Sequence, residues 1–166
     1  LEDAGIGIFA AIAAIALATS LSACATAEEH PQELHLTDGW VRVSEYSDHV
    51  DGMTGAFAAF DNNTDHDITI VGGSAEIAGM VEVHEVVMLD GEMKMQPKEG
   101  GIVIPAGEKL TLEPGGLHIM LMGLKKPILV GDKVTLTIDL DGYEDQTVTW
   151  DAKTSLSGDE EYKPSK

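Results

Sequence analysis

Cysteine is almost absent from this chain of 166 residues, and basic residues are few. The single cysteine, Cys24, has no partner for an intrachain disulfide. Only 10 Lys and Arg residues stand against 29 Asp and Glu residues, which gives a formal net charge of −19. A surface this acidic repels nucleic acid and anionic lipid headgroups, and it attracts cations and basic protein surfaces. We therefore expect no nucleic-acid partner.

Catalytic motifs are also missing. The sequence contains no Gly-x-Ser-x-Gly pattern, and its only cysteine lies at the end of an apolar N-terminal run, so no Cys–His pair is available in the remaining chain. The same lack excludes an electron-transfer cupredoxin, whose copper needs a cysteine thiolate together with two histidines. These absences predict a binding protein rather than an enzyme.

Residues 4–21 form a long apolar run that ends in "LSAC", with Cys24 as its last residue. Small residues before a cysteine resemble the lipobox of bacterial lipoproteins, in which the cysteine becomes the lipidated first residue. The pattern predicts a signal peptide over 1–23 and an extracytoplasmic protein held to the membrane by a lipid on Cys24. The alternative is an uncleaved transmembrane anchor, since about 20 residues span a bilayer. The start "LED" lacks Met and a basic segment, which suggests that the natural N-terminus differs.

The rest of the chain is predicted to be all-β. Ten short β-rich runs, from "GWVRVS" to "QTVTW", are separated by turn signals such as "DNNTDHD", "LDGE" and "EPGG". Many short strands at this spacing favour an antiparallel sandwich or barrel, and no run shows helical periodicity. We assign the β domain to 38–152, a polar tether to 24–37, and a disordered polar tail to 153–166.

The stretch "VEVHEVVMLDGEMKMQP" predicts a hairpin with Asp90-Gly91 at its tip. With that turn Met88 faces Met93, and Met95 faces Val86. His84 then lies diagonally across from Met95 on the same face, where diagonal neighbours are about 7–8 Å apart. One face of the hairpin thus carries an imidazole and three thioethers.

A second strand, "LHIMLM", alternates in the same way and carries His118, Met120 and Met122 on one face. Thioether sulfur is a soft, neutral ligand, so two sulfurs with two imidazoles suit Cu(I) better than hard cations or zinc. Thioethers cannot form disulfides in an oxidising compartment, and they bind without losing a proton. The alternative is a Met-rich core layer that contains two hydrogen-bonded histidines.

The segments "HEVVMLDGEMKMQP" and "GIVIPAGEKLTLEPGGLHIMLMGL" resemble the periplasmic copper chaperones called PCu(A)C. The resemblance covers Asp38 to Asp151 and implies a cupredoxin-like Greek-key β-sandwich with a solvent-exposed Cu(I) site. The family motif falls on His84, Met95, His118 and Met120. Ten residues separate the first two, and 22 separate Met95 from His118, one more than the usual family gap.

The resemblance implies a Cu(I) metallochaperone that delivers copper to cytochrome c oxidase, often beside Sco-like proteins. Met93 and Met122 share the two strand faces and are possible accessory ligands. No His or Met follows Met122, so a second copper site in the tail is not expected. Copper sequestration for resistance and a metal-free β-sandwich interaction module stay open as alternatives. The other four histidines are expected to have no metal role: His30, His35, His49 and His66.

Overall fold

The computed structural model describes residues 33–44 and 52–155, and the described chain contains strands, turns and bends without a helix. The ten predicted β runs correspond one to one to ten strands, which confirms the all-β prediction. The strands are β1 (Leu34–Arg42), β2 (Met53–Asn62), β3 (Ile68–Ala75), β4 (Met80–Leu89), β5 (Glu92–Pro97), β6 (Ile102–Ile104), β7 (Lys109–Thr111), β8 (His118–Met122), β9 (Lys133–Asp141) and β10 (Gln146–Lys153).

The strands form one sheet that closes into a barrel. Its order is β5-β4-β8-β2-β1-β10-β9-β3-β6, and an additional pairing of Gly73 with Val81 joins β3 back to β4. Strand β7 pairs with β2, and β1 runs parallel to β10 while the other pairs are antiparallel. Closure hides most sheet edges. It also places β4, β8 and β2 side by side, although β2 and β8 are far apart in sequence.

The hydrophobic core lies inside this barrel and follows the strand alternation. In β8, Ile119 and Leu121 are fully buried in the core cluster, and the neighbouring strand β4 contributes Val81 and Val83. Because successive side chains point to opposite sides, the intervening residues of both strands lie on the outer face of the barrel. The histidines predicted as ligands are among those outer residues.

The hairpin of β4 and β5 has the predicted register. Asp90 and Gly91 both have positive φ, 54° and 82°, as a two-residue type I′ turn requires. Met88 pairs with Met93, and Val86 pairs with Met95. The turn therefore fixes which residues face each other on the two strands, as the sequence indicates.

The first strand begins earlier than the predicted domain boundary at residue 38. Leu34 pairs with Asn62, so residues 34–37 of the predicted tether belong to β1. At the other end β10 continues to Lys153, the first residue of the predicted tail. The predicted signal peptide, Cys24, and the tail from 156 onward lie outside the described residues. In the described part of the chain, no helix has the length and apolar character to span a membrane.

Candidate metal centre

Two histidines lie directly opposite each other on neighbouring strands of the outer face. His84 of β4 is the register partner of His118 of β8, and the centroids of their rings are 5.8 Å apart with a 54° angle between the planes. Their positions follow from alternation, because the adjacent Val83 and Ile119 point into the core. The fold thus joins the two predicted imidazole ligands, which are separated by more than thirty residues of sequence.

Hydrogen bonds fix which nitrogen of each ring carries the proton. The Nδ1–H of His118 donates to the backbone oxygen of Gly116 at 3.0 Å, and the Nε2–H of His84 donates to Oε2 of Glu82 at 3.1 Å. In a neutral imidazole the other nitrogen then carries a free lone pair. Those two atoms, His84 Nδ1 and His118 Nε2, are buried and have no hydrogen-bond partner. Buried polar atoms normally have one, so this pair needs an explanation.

Burial keeps one of these rings in the ligating form. His118 is only 2% exposed, and this burial lowers its pKa; the hydrogen bond to Gly116 acts in the opposite direction, and the nearby His84 and Arg42 lower the pKa further. A pKa below the usual 6.5 makes the imidazole neutral at pH 7, and a neutral imidazole is the form that binds metals.

The burial corrects the expectation of a solvent-exposed site. His84 is also 2% exposed and Met120 is 4% exposed. Aromatic packing on the same face accounts for part of the cover on His118, because the Phe57 ring lies 6.2 Å from it between centroids. The more open side is the hairpin, where Met95 is half-buried and Met93 is exposed.

The two predicted thioether ligands lie on either side of the histidine pair. Met95 pairs with Val86, two positions from His84 toward the hairpin tip. Met120 pairs with Glu82, two positions from His84 in the other direction. Both methionines are therefore diagonal neighbours of His84 on one face, at a distance of about 7–8 Å that flexible side chains can bridge. The fold places all four predicted residues in one patch.

An aromatic row continues the histidine pair across the sheet. Trp40 of β1 pairs with Phe57 of β2, and their ring centroids are 4.6 Å apart. The guanidinium of Arg42 lies 5.6 Å above the Phe57 ring. Gly55 makes room for that ring, because an added Cβ would be 2.7 Å from it. This row supports His118 from the β2 side.

Two further methionines, Met53 and Met80, share this face, although the sequence did not indicate them as part of the site. Met122 of β8, a predicted accessory residue, pairs with Met53 of β2 on one side and with Met80 of β4 on the other. Recognising Met53 and Met80 requires the order of the strands, and no local feature of the sequence indicates that β8 lies between β2 and β4.

Histidines away from this face have ordinary partners where the structure describes them. His35 lies near Glu33 and His66 contacts Asp65 and the Gly142 backbone. Within 33–44 and 52–155, no three His, Cys, Asp or Glu side chains are grouped to hold a metal ion. The possible metal ligands beside the imidazole pair are instead the thioethers of Met95 and Met120, together with the carboxylate of Glu82. His30 and His49 lie outside the described residues.

Comparison with known proteins gives both a family and a fold. The sequence model of the LpqE-like family matches residues 34–152. A protein of Leifsonia xyli subsp. xyli that is named as a lipoprotein is 34% identical over 130 residues, which cover 78% of this chain and 75% of that protein.

Solved structures of similar fold are PCuAC domains and a related copper protein. The apo PCuAC domain from PmoF1 has a TM-score of 0.58 at 20% identity, and the match covers 74% of this chain and 94% of that chain. The solution structure of CuI-DR1885 from Deinococcus radiodurans has a TM-score of 0.56 at 29% identity, over 80% of this chain and 87% of that chain. The predicted PCu(A)C-type, cupredoxin-like fold is thereby confirmed.

Proposed function

Because the chain belongs to the LpqE-like lipoprotein family and has the fold of PCuAC domains, we propose that it is a Cu(I)-binding metallochaperone of the cell envelope. Copper is its cargo, and no reaction is catalysed. The proposal takes support from the D. radiodurans relative, whose structure is named for its Cu(I) form.

The observation that carries the proposal is the pair of unpartnered ring nitrogens. His84 Nδ1 and His118 Nε2 are buried and free of hydrogen bonds. Their rings belong to directly opposed residues of two neighbouring strands, with centroids 5.8 Å apart. Leaving a buried polar atom without a partner costs about 1–3 kcal/mol. Two such atoms in one place are best explained by a ligand that both of them bind.

The surrounding donors favour a soft ion. Met95 and Met120 add two neutral thioether sulfurs to the two imidazoles, a set that suits Cu(I) and does not suit hard cations. Met93 and Met122 share the same face and are accessory candidates. Because none of these donors is an anionic thiolate, the ion is held by neutral ligands, and it can leave by stepwise exchange for ligands of a recipient.

The proposed recipient is the copper centre of cytochrome c oxidase or a Sco-like protein that serves it. The formal charge of −19 favours docking on a basic surface of the recipient, which speeds the encounter in a salt-dependent way. Anchoring through a lipid on Cys24 would keep the domain at the membrane where such recipients are found. Removal of residues 1–23 would leave Cys24 as the first residue.

We expect the purified protein to bind Cu(I) tightly and Zn(II) poorly, because thioethers are poor zinc ligands. The measurement is an anaerobic titration of Cu(I) against a chromogenic chelator, repeated in the presence of equimolar Zn(II). Comparable affinities for the two ions would contradict the proposed ligand set. Copper transfer is then measured with the metal-free soluble copper domain of oxidase subunit II. Tight binding without any transfer would indicate sequestration instead of delivery.

Glu82 is expected to position His84 and not to bind copper itself. Its carboxylate accepts the Nε2–H of His84, so Glu82→Ala should release the ring and lower Cu(I) affinity about 10- to 100-fold, as for other partners of metal-binding histidines. Nitrogen NMR shifts of His84 should show a protonated Nε2 in the wild type and a mixture of tautomers in the variant.

Glu82→Gln is the matched control, because the amide oxygen can still accept this hydrogen bond although the charge is lost. We expect its affinity to stay close to that of the wild type. If Glu82→Gln binds Cu(I) as weakly as Glu82→Ala does, the carboxylate charge and not the hydrogen bond supports copper binding.

A further inference from the structure

All methionines of the chain, seven in number, lie on one face of the sheet. The face is the outer side of β5, β4, β8 and β2, which also carries the histidine pair. The core cluster inside the barrel consists of other apolar residue types and contains no methionine. Since methionine is a common filler of core gaps, its restriction to the outer face argues that it has a role other than packing.

Three of these methionines form a row of their own. Met53, Met122 and Met80 are direct register partners on β2, β8 and β4, so they lie side by side on the same face. Directly opposed residues have Cβ atoms about 4.5–5.5 Å apart. Each thioether sits at the end of a flexible side chain, so the three sulfurs can reach one point above the central Met122.

This row is accessible from solvent and separate from the histidine pair. Met80 is 52% exposed, and Met53 and Met122 are half-buried. Between the row and the histidines lies one intermediate row, in which Met120 pairs with Gly55 on one side and Glu82 on the other. Gly55 has no side chain of its own, and the Phe57 ring lies over it, since an added Cβ would be 2.7 Å from that ring. The row and the histidine pair are therefore linked along β8, through Met120.

We propose that Met53, Met80 and Met122 form a second Cu(I) site, built from thioethers alone, that receives copper from solution and passes it to the histidine site through Met120. The inference rests on the proposed copper function and adds a second binding site to it. Three neutral sulfurs favour a soft monovalent ion, and without imidazole they should hold it more weakly than the first site does. Met120 is two positions from Met122 on β8. The ion can therefore exchange the Met122 sulfur for the Met120 sulfur as it passes from the second site to the first.

The test is the stoichiometry of Cu(I) binding, measured anaerobically with graded chelator strength on the whole purified protein. The wild type should bind two equivalents, the second more weakly, and the methyl NMR signals of Met53, Met80 and Met122 should shift during the second equivalent. A variant with all three residues changed, Met53→Leu, Met80→Leu and Met122→Leu, should bind one equivalent, because it keeps the four donors His84, Met95, His118 and Met120. Met to Leu conserves volume and is well tolerated.

The matched control is Met88→Leu with Met93→Leu, an opposed and exposed pair near the hairpin tip that contains only two thioethers. It should still bind two equivalents. If the triple variant does not fold, Met80→Leu alone, at the most exposed member of the row, should weaken the second equivalent at least about tenfold.

The outcomes separate this inference from the proposed function. A wild type that binds one equivalent, or a triple variant that still binds two, overturns the second site and leaves the chaperone proposal intact. Loss of the second equivalent in the control but not in the triple variant also overturns it, because the hairpin pair would then hold the ion. Absence of any tight Cu(I) binding by the wild type overturns both.

Discussion

Replacing both imidazoles, His84→Leu together with His118→Leu, is expected to abolish high-affinity Cu(I) binding. Partners that only orient a metal-binding histidine change affinity by about 10- to 100-fold, so loss of two direct donors should exceed about 100-fold, or about 2.7 kcal/mol. The measurement is the same chelator competition under anaerobic conditions. Double-variant affinity within tenfold of the wild type would refute the assignment of these residues as ligands.

The same variant should keep its fold, so that its loss of Cu(I) affinity can be assigned to the missing ligands and not to unfolding. Each wild-type ring has one nitrogen in a hydrogen bond and one buried nitrogen without a partner. Leucine removes a hydrogen bond worth about 1 kcal/mol, and it also removes the unpartnered atom, whose burial costs about 1–3 kcal/mol. The free energy of unfolding of the metal-free protein should therefore not fall by more than about 1 kcal/mol.

His66→Leu serves as the control for the histidine variant. His66 is exposed and contacts Asp65 and the backbone oxygen of Gly142, away from the outer face of β4 and β8. Its replacement should leave Cu(I) affinity unchanged. A loss of affinity here that matched the double variant would mean that histidines bind copper without a defined site.

Asn62→Ala is expected to cause a large loss of stability. The Asn62 side chain is fully buried at the end of β2, where its amide nitrogen donates to the backbone oxygens of His66, Ile104 and Pro105. Its Oδ1 accepts hydrogen bonds from the backbone N–H and the hydroxyl of Thr64. One side chain thus ties β2 to the loop that follows it and to the end of β6.

Alanine at this position removes the side-chain hydrogen bonds to at least two backbone groups, the oxygen of Ile104 and the N–H of Thr64. At about 1–3 kcal/mol for each group, the free energy of unfolding should fall by about 2–6 kcal/mol. A domain of this size has only about 5–15 kcal/mol in total. Urea denaturation followed by circular dichroism measures the change, and a loss below about 1 kcal/mol would contradict the role given to Asn62.

Asn63→Ala is the matched control, since Asn63 is adjacent and exposed and its backbone N–H keeps its bond to Glu33. It should change the free energy of unfolding by less than about 0.5 kcal/mol. The burial of Asn62 also explains why the sequon Asn62-Asn63-Thr64 is no accessible glycosylation site in the folded protein. Its asparagine is used for structure.

The sequence by itself determined the strands, the hairpin register and the candidate ligands. Alternation in "LHIMLM" separates Ile119 and Leu121 from His118 and Met120 because successive side chains of a strand point to opposite faces. Asp90-Gly91 determines the register of β4 and β5, because positive φ at both positions closes a two-residue turn in only one way. These features depend only on neighbouring residues, so they can be recognised from the sequence alone.

Only the tertiary structure decided what lies beside these strands and how deeply the donors are buried. The order β4-β8-β2 arises from closure of the barrel, and it brings His84 opposite His118 and Met53 into line with Met122 and Met80. It also buries both imidazoles, against the expectation of an exposed site. The physical reason is that pairing between distant strands depends on how the whole core closes, which no single segment encodes.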